Sequence, residues 1–151
     1  MRTFYIVVAL LLCGCAIDRF NDTHPASIFT DLMIVPLIEA GLEQTALSTD
    51  EQRDVLCRLR GRTVQFVAAH FSEDELIEVM QICRSKEFIA AMKARAAEDA
   101  LTDEQIKFIK GAYTRSHALR RFLSKDFMQA LAVEVFGKEL TDLSKADSLV
   151  Y

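Results

Sequence analysis

The sequence predicts an all-α fold, a compact bundle of about five to six helices built from antiparallel helical hairpins. Three observations point there. Apolar residues recur at spacings of three and four, as in Leu56, Leu59, Thr63, Phe66 and Val67, or in Phe88, Ala91 and Met92. Helix starts of the form S/T-x-x-E/Q occur at Ser48 to Glu51, Ser72 to Glu75 and Thr102 to Gln105, where a hydroxyl caps an orphan amide and the third residue reaches back. No stretch alternates as a strand would, and only five glycines and two prolines interrupt 151 residues.

Taken in order, the periodicity predicts helices over Ser27 to Glu43, Thr49 to Ala69, Glu73 to Arg84, Lys86 to Ala97, Asp103 to Leu123 and Lys125 to Phe136. Pro36 lies inside the first and is expected to kink it or break it in two, because proline has no amide hydrogen to donate and its ring crowds the preceding turn. Ser85 and Ser124 read as simpler N-caps before "KEFIAAMKA" and "KDFMQALAVEVF", and Gly137 as a C-cap. The tail "GKELTDLSKADSLVY" carries a weaker pattern. The stretch from Phe71 echoes the one from Leu101 at offsets of 30 to 31, through Ser72/Thr102 and Ser85/Ser116. Two copies suggest stacked hairpins, too few for a solenoid.

The amino terminus carries the sharpest signal. Arg2 is followed by an uncharged run from Thr3 to Ile17. A bilayer span needs about 20 apolar residues, more than this run supplies, so the layout reads as an export signal and not as an anchoring helix. Its exit, "LCGC" at Leu12 to Cys15, resembles the lipobox of bacterial lipoproteins. That resemblance implies that residues 1–14 are a signal peptide and that Cys15 is acylated as the new first residue. Ala16, small and not Asp, then implies sorting to the outer membrane, facing the periplasm. The competing reading is an ordinary signal cleaved nearby, which releases a periplasmic protein.

Residues 15–25, including "IDRFNDTHP", read as a lipidated tether of polar turn formers. Residues 26–151 form one helical domain, and the length left after the signal suits a single core. Removing residues 1–14 takes away only Arg2 and leaves 17 bases against 22 acids, a net charge of −5. Such a chain has no general electrostatic reason to seek nucleic acid.

Two further cysteines, Cys57 and Cys83, are equidistant in sequence from His70, where the chain turns between two predicted helices. Equal spacing from a hairpin turn would set them abreast and permit a disulfide, worth about 3 kcal/mol in the chain-entropy model. Two free thiols acting as small hydrophobes are the other reading.

The pattern "FSEDELIEVM" followed by "RSKEF" resembles a proteobacterial domain of unknown function found in short exported helical proteins, over roughly residues 71–125. The resemblance implies a helical fold and an exported compartment, and no activity.

No motif proposes catalysis. The three histidines, His24, His70 and His117, have no ligand partner at i+3 or i+4, and no E-x-x-H pair is present, so neither a metal nor another cofactor is expected. The glycines are too dispersed for a phosphate loop, and no G-x-S-x-G elbow exists. The acids Glu73, Asp74, Glu75 and Glu78 suit the dipole of a helix start. Arg58, Arg62, Arg120, Arg121 and Lys125 are the candidate contacts to lipid phosphates or an acidic partner, against a reading as cations snorkelling beside a core stripe. Met80, Met92 and Met128 are core filler or the lining of an acyl cavity. The sequence therefore leads to a membrane-anchored periplasmic lipoprotein acting without catalysis, as a protein-interaction or envelope-maintenance module. A carrier or sensor of a hydrophobic ligand is the alternative.

Overall fold

The computed structural model describes residues 23–137, and every regular element among them is helical. The elements are α1 (Pro25–Met33), α2 (Val35–Leu42), α3 (Thr49–His70), α4 (Glu73–Cys83), α5 (Lys86–Ala96), α6 (Asp103–Arg115), α7 (His117–Phe122) and α8 (Lys125–Leu131), which runs into a π-helical turn over Ala132–Phe136. The predicted signal over residues 1–14, Cys15, most of the predicted tether and the tail from residue 138 lie outside the described residues.

The helix starts form as their hydroxyls dictate. Ser48, Ser72 and Thr102 each close a reciprocal capping box, and Ser85, Ser116 and Ser124 each accept the backbone amide three residues on. Two predicted helices are divided. The first breaks at Ile34, two residues before Pro36, with a bend of 41° between α1 and α2. Pro36 cannot bond the carbonyl one turn back, and the ladder restarts from Ile34. The second breaks at buried Ser116, whose extended backbone ends α6 and whose hydroxyl caps α7. Gly137 stays helical, with φ −61°, and takes no left-handed cap.

The end of α5 uses a left-handed residue without being glycine. Glu98 has φ 59°, the amide of Asp99 reaches back to the Ala94 carbonyl at 2.9 Å, and that of Glu98 reaches Arg95 at 3.2 Å, a Schellman closure. A Cβ in this region costs about 1 kcal/mol or more. Glu98→Gly is therefore expected to stabilise the fold by about 1 kcal/mol, read as a rise of several degrees in the thermal midpoint.

The core is organised around α1. Ala26, Phe29, Thr30, Asp31 and Met33 are all buried, so this helix is enclosed on nearly every side, against both α3 and α4. α5 packs on α6, α7 on α4 and α6, and the π-helical turn on α3. Aromatic rings knit the centre: Phe29 meets Phe122 edge-to-face at 5.0 Å, and Phe127 lies 5.1 Å from Phe71 and 5.5 Å from Phe66. Asp31 brings a carboxylate into this apolar interior, and Arg60 of α3 meets it through two bonds, Nε to Oδ1 at 2.7 Å and Nη2 to Oδ2 at 2.9 Å. Beside it, the Thr30 hydroxyl is buried with no hydrogen-bond partner.

Candidate functional site

Cys57 and Cys83 do not form the expected disulfide; both are free thiols. The spacing argument assumed that α3 and α4 fold back along each other. Phe71 and Ser72 are instead both extended, and α1 packs on each of the two helices while α3 and α4 are not packed along one another. Cys57 is consequently exposed, whereas Cys83 faces the core beside Leu76 and Val79. Burial pushes the Cys83 thiol up to about 12, which keeps it protonated and inert at neutral pH. Iodoacetamide applied to the folded chain should alkylate Cys57 and leave Cys83 unmodified until denaturant is added, a difference that peptide mass mapping reads directly.

Cys57 borders a cleft of about 650 Å³ between α2 and the first turns of α3, lined also by Glu39, Leu42, Glu43, Arg53 and Leu56. It lies where α2, bent by 41° from α1, packs against α3. Its walls mix two leucines with charged groups, so it offers shape and charge without a converging reactive set. Among the described residues no three His, Cys, Asp or Glu side chains come together in a metal-binding group.

The candidate cations separate into distinct roles. Arg121, on α7, is engaged internally: Nη1 donates to Glu75 Oε1 at 2.8 Å, Nη2 donates to the His70 carbonyl, and the guanidinium lies 4.6 Å from the centroid of the Phe71 ring. It clamps the corner between α3 and α4. Arg120 donates from Nη1 to the Tyr113 and Thr114 carbonyls at 2.9 and 2.7 Å, which satisfies the exposed end of α6. Arg58 is exposed and Arg62 half-buried on α3, while Lys125 is exposed at the start of α8. Arg58 and Arg62 thus stand on α3, Arg120 and Arg121 on α7, and Lys125 at the start of α8.

Electrostatics at the clamp are asymmetric. The Ser72 backbone amide, bonded to Glu75 Oε2 at 2.9 Å, holds the Glu75 carboxyl below its usual 4.5, and Arg121 adds to the effect. A depressed carboxyl contributes stability that is complete above the unfolded value and lost as pH falls through the folded one. Glu75→Gln should therefore lower the thermal midpoint at neutral pH, with the gap to the parent chain closing as pH falls below the usual carboxyl value of 4.5 and on through the depressed one.

The histidines take structural positions. His24 Nδ1 accepts the Ala26 amide at 3.2 Å as the N-cap of α1, with Nε2 3.4 Å from Glu73. His70 Nδ1 donates to the Phe66 carbonyl at 2.8 Å at the end of α3. His117 is exposed at the first turn of α7.

No family model, curated protein or solved structure matches the chain. Its chemistry has to be read from its own residues. Sequence reasoning had missed the Asp31–Arg60 pair, although an acid within "PASIFTDLM", a helix otherwise without charge, was the available signal. It also missed the α2–α3 cleft, which depends on the bend angle and has no local signature.

Proposed function

We propose that this chain is a lipid-anchored bacterial envelope protein, acylated at Cys15, held at the outer membrane with its helical domain in the periplasm, and acting by binding a protein partner in envelope maintenance. The observation that carries the reading is the amino-terminal layout, one cation, an uncharged run from Thr3 to Ile17 and "LCGC" within it. The start of α1 at Pro25 supports it, since the ten residues from Cys15 reach at most about 35 Å and keep the domain beside the membrane. The helical architecture suits a binding role, and the finer arrangement we assign to it is a bundle around α1 in which α5 and α6 pair as a hairpin while α3 and α4 do not.

Substituting Cys15→Ser tests the anchor. The parent chain should fractionate with membranes and carry an acyl mass at Cys15, and the variant should accumulate unprocessed or soluble. Unchanged membrane extraction of the variant would overturn the anchor. A second reading, carriage of a small amphipathic ligand, is favoured by the α2–α3 cleft, whose volume falls in the usual range for ligand pockets. Native mass spectrometry of protein extracted from its own membrane separates the two: a stoichiometric protein companion supports the first, and a bound small molecule the second.

A further inference from the structure

An acidic chain that places six of its 18 Lys and Arg in one acid-free stretch has a local preference that its net charge conceals. Residues 107–125, "KFIKGAYTRSHALRRFLSK", hold six Lys or Arg and no Asp or Glu, while the whole chain is −4. The segment covers most of α6, all of α7 and the start of α8. The fold gives its cations two fates. Arg121 turns inward to Glu75 and the His70 carbonyl, and Arg120 folds over the carboxyl end of α6. Lys107, Lys110, Arg115 and Lys125 are exposed. None of these four has an acidic partner among the described residues.

Lys107, Lys110 and Thr114 follow at spacings of three and four, so they share one outward face of α6, opposite the stripe that buries Ala112. Tyr113 flanks that face and is 47% exposed, the largest aromatic exposure on the domain's surface among the described residues. Long cationic side chains beside an exposed tyrosine are the composition of a surface that rests at a lipid–water boundary, with the ammonium groups on phosphates and the ring at headgroup depth.

A protein partner would look for something else. The other large exposed apolar residues, Ile28, Ile77 and Val133, stand on α1, α4 and the π-helical turn and leave this edge without the apolar centre that protein interfaces need. Lysine is depleted in such interfaces, and here it leads.

We infer that the α6–α7 edge, with Lys107, Lys110, Arg115 and Tyr113 at its centre, docks on an anionic lipid surface and sets the orientation of the domain over the membrane. The inference rests on the anchored reading only for proximity, since a tether of about 35 Å keeps this edge within reach of headgroups. Acylation holds the domain nearby, and the basic edge selects the face that lies down.

The chain contains no tryptophan, so Tyr113→Trp introduces a single fluorophore at the edge. The full-length variant is reconstituted into vesicles of phosphatidylcholine alone, or of phosphatidylcholine with phosphatidylglycerol. Its emission should shift to shorter wavelength, with reduced acrylamide quenching, on the anionic vesicles only. The shift should vanish at about 1 M salt, where the Debye length is about 3 Å. Adding Lys107→Glu and Lys110→Glu, both exposed and outside the core, should lower the bound fraction of the edge by about tenfold or more, with an unchanged circular dichroism spectrum.

Identical emission on neutral and anionic vesicles would overturn the inference. A shift produced by soluble polyglutamate and not by anionic vesicles would overturn it in favour of an acidic protein partner. The anchor is read separately from the mass at Cys15: an unacylated chain whose introduced indole still responds to anionic vesicles upholds the edge and removes the anchor, and an acylated chain with no response does the reverse.

Discussion

Arg60→Ala should cost the domain about 3–5 kcal/mol, because it strands the Asp31 carboxylate in the core. Asp31 is 5% exposed and receives two guanidinium bonds, at 2.7 and 2.9 Å, that tie α1 to α3. Losing one partner removes the attraction and leaves the desolvation, which is why the single change is worse than losing both. Asp31→Leu combined with Arg60→Met should accordingly recover much of the loss, since an apolar pair of similar volume has no charge to desolvate. Urea unfolding followed by far-ultraviolet circular dichroism reads both. A loss under about 1 kcal/mol for Arg60→Ala would mean that the pair behaves as a surface ion pair, with water reaching Asp31.

Phe29→Ala should cost a similar amount, about 3–5 kcal/mol, by a different route. Phe29 is fully buried in α1 and meets Phe122 of α7 edge-to-face at 5.0 Å. Truncation leaves a cavity between α1 and α7, and α1 cannot collapse into it while it is also packed against α3 and α4. The exposed Val133→Ala, 63% accessible in the π-helical turn, serves as the control and should change the urea midpoint by no more than a few tenths of a kcal/mol. Equal effects at the two positions would show that the ring is not the keystone of this core. Against a typical domain stability of about 5–15 kcal/mol, either large loss is enough to leave a sizeable unfolded fraction.

Local chemistry was legible residue by residue. All three capping boxes at Ser48, Ser72 and Thr102, and the caps at Ser85 and Ser124, occur where the spacing of hydroxyl and partner predicted them. Of the stripe Leu56, Leu59, Thr63, Phe66 and Val67, all but the half-buried Leu56 are buried, as are Phe88, Ala91 and Met92. These signals survive because each involves residues within about one helical turn, where geometry is nearly independent of the rest of the chain. Pro36 likewise announced the break near it. The division at Ser116 was signalled by its echo of Ser85, where each unit reads as a capped helix with a small break at the serine, although the apolar periodicity alone ran on from Asp103 to Leu123.

Long-range pairings were not legible, and the thiols show why. Equal spacing of Cys57 and Cys83 from His70 is a statement about contour length, and it becomes a statement about distance only if α3 and α4 lie side by side. The two extended residues Phe71 and Ser72 and the insertion of α1 decide otherwise. The same limit applied to the cations. Arg120 and Arg121 are neighbours in sequence, and only the fold sends one to the α6 carbonyls and the other to Glu75 and the His70 carbonyl.

The sequence by itself determined that the described residues are helical, where the helices from Thr49, Glu73, Lys86, Asp103 and Lys125 begin, which stripes are apolar, and that the six cations of residues 107–125 have no acid among them. Those properties follow from nearest-neighbour hydrogen bonding and the periodicity of a helix. Only the tertiary structure decided that α1 is the enclosed centre, that Asp31 and Arg60 meet there, that the two thiols stay apart, and which of the cations still face outward. Each of these depends on how rigid helices pack in three dimensions, where one bend of 41° or one inserted helix redirects every contact beyond it.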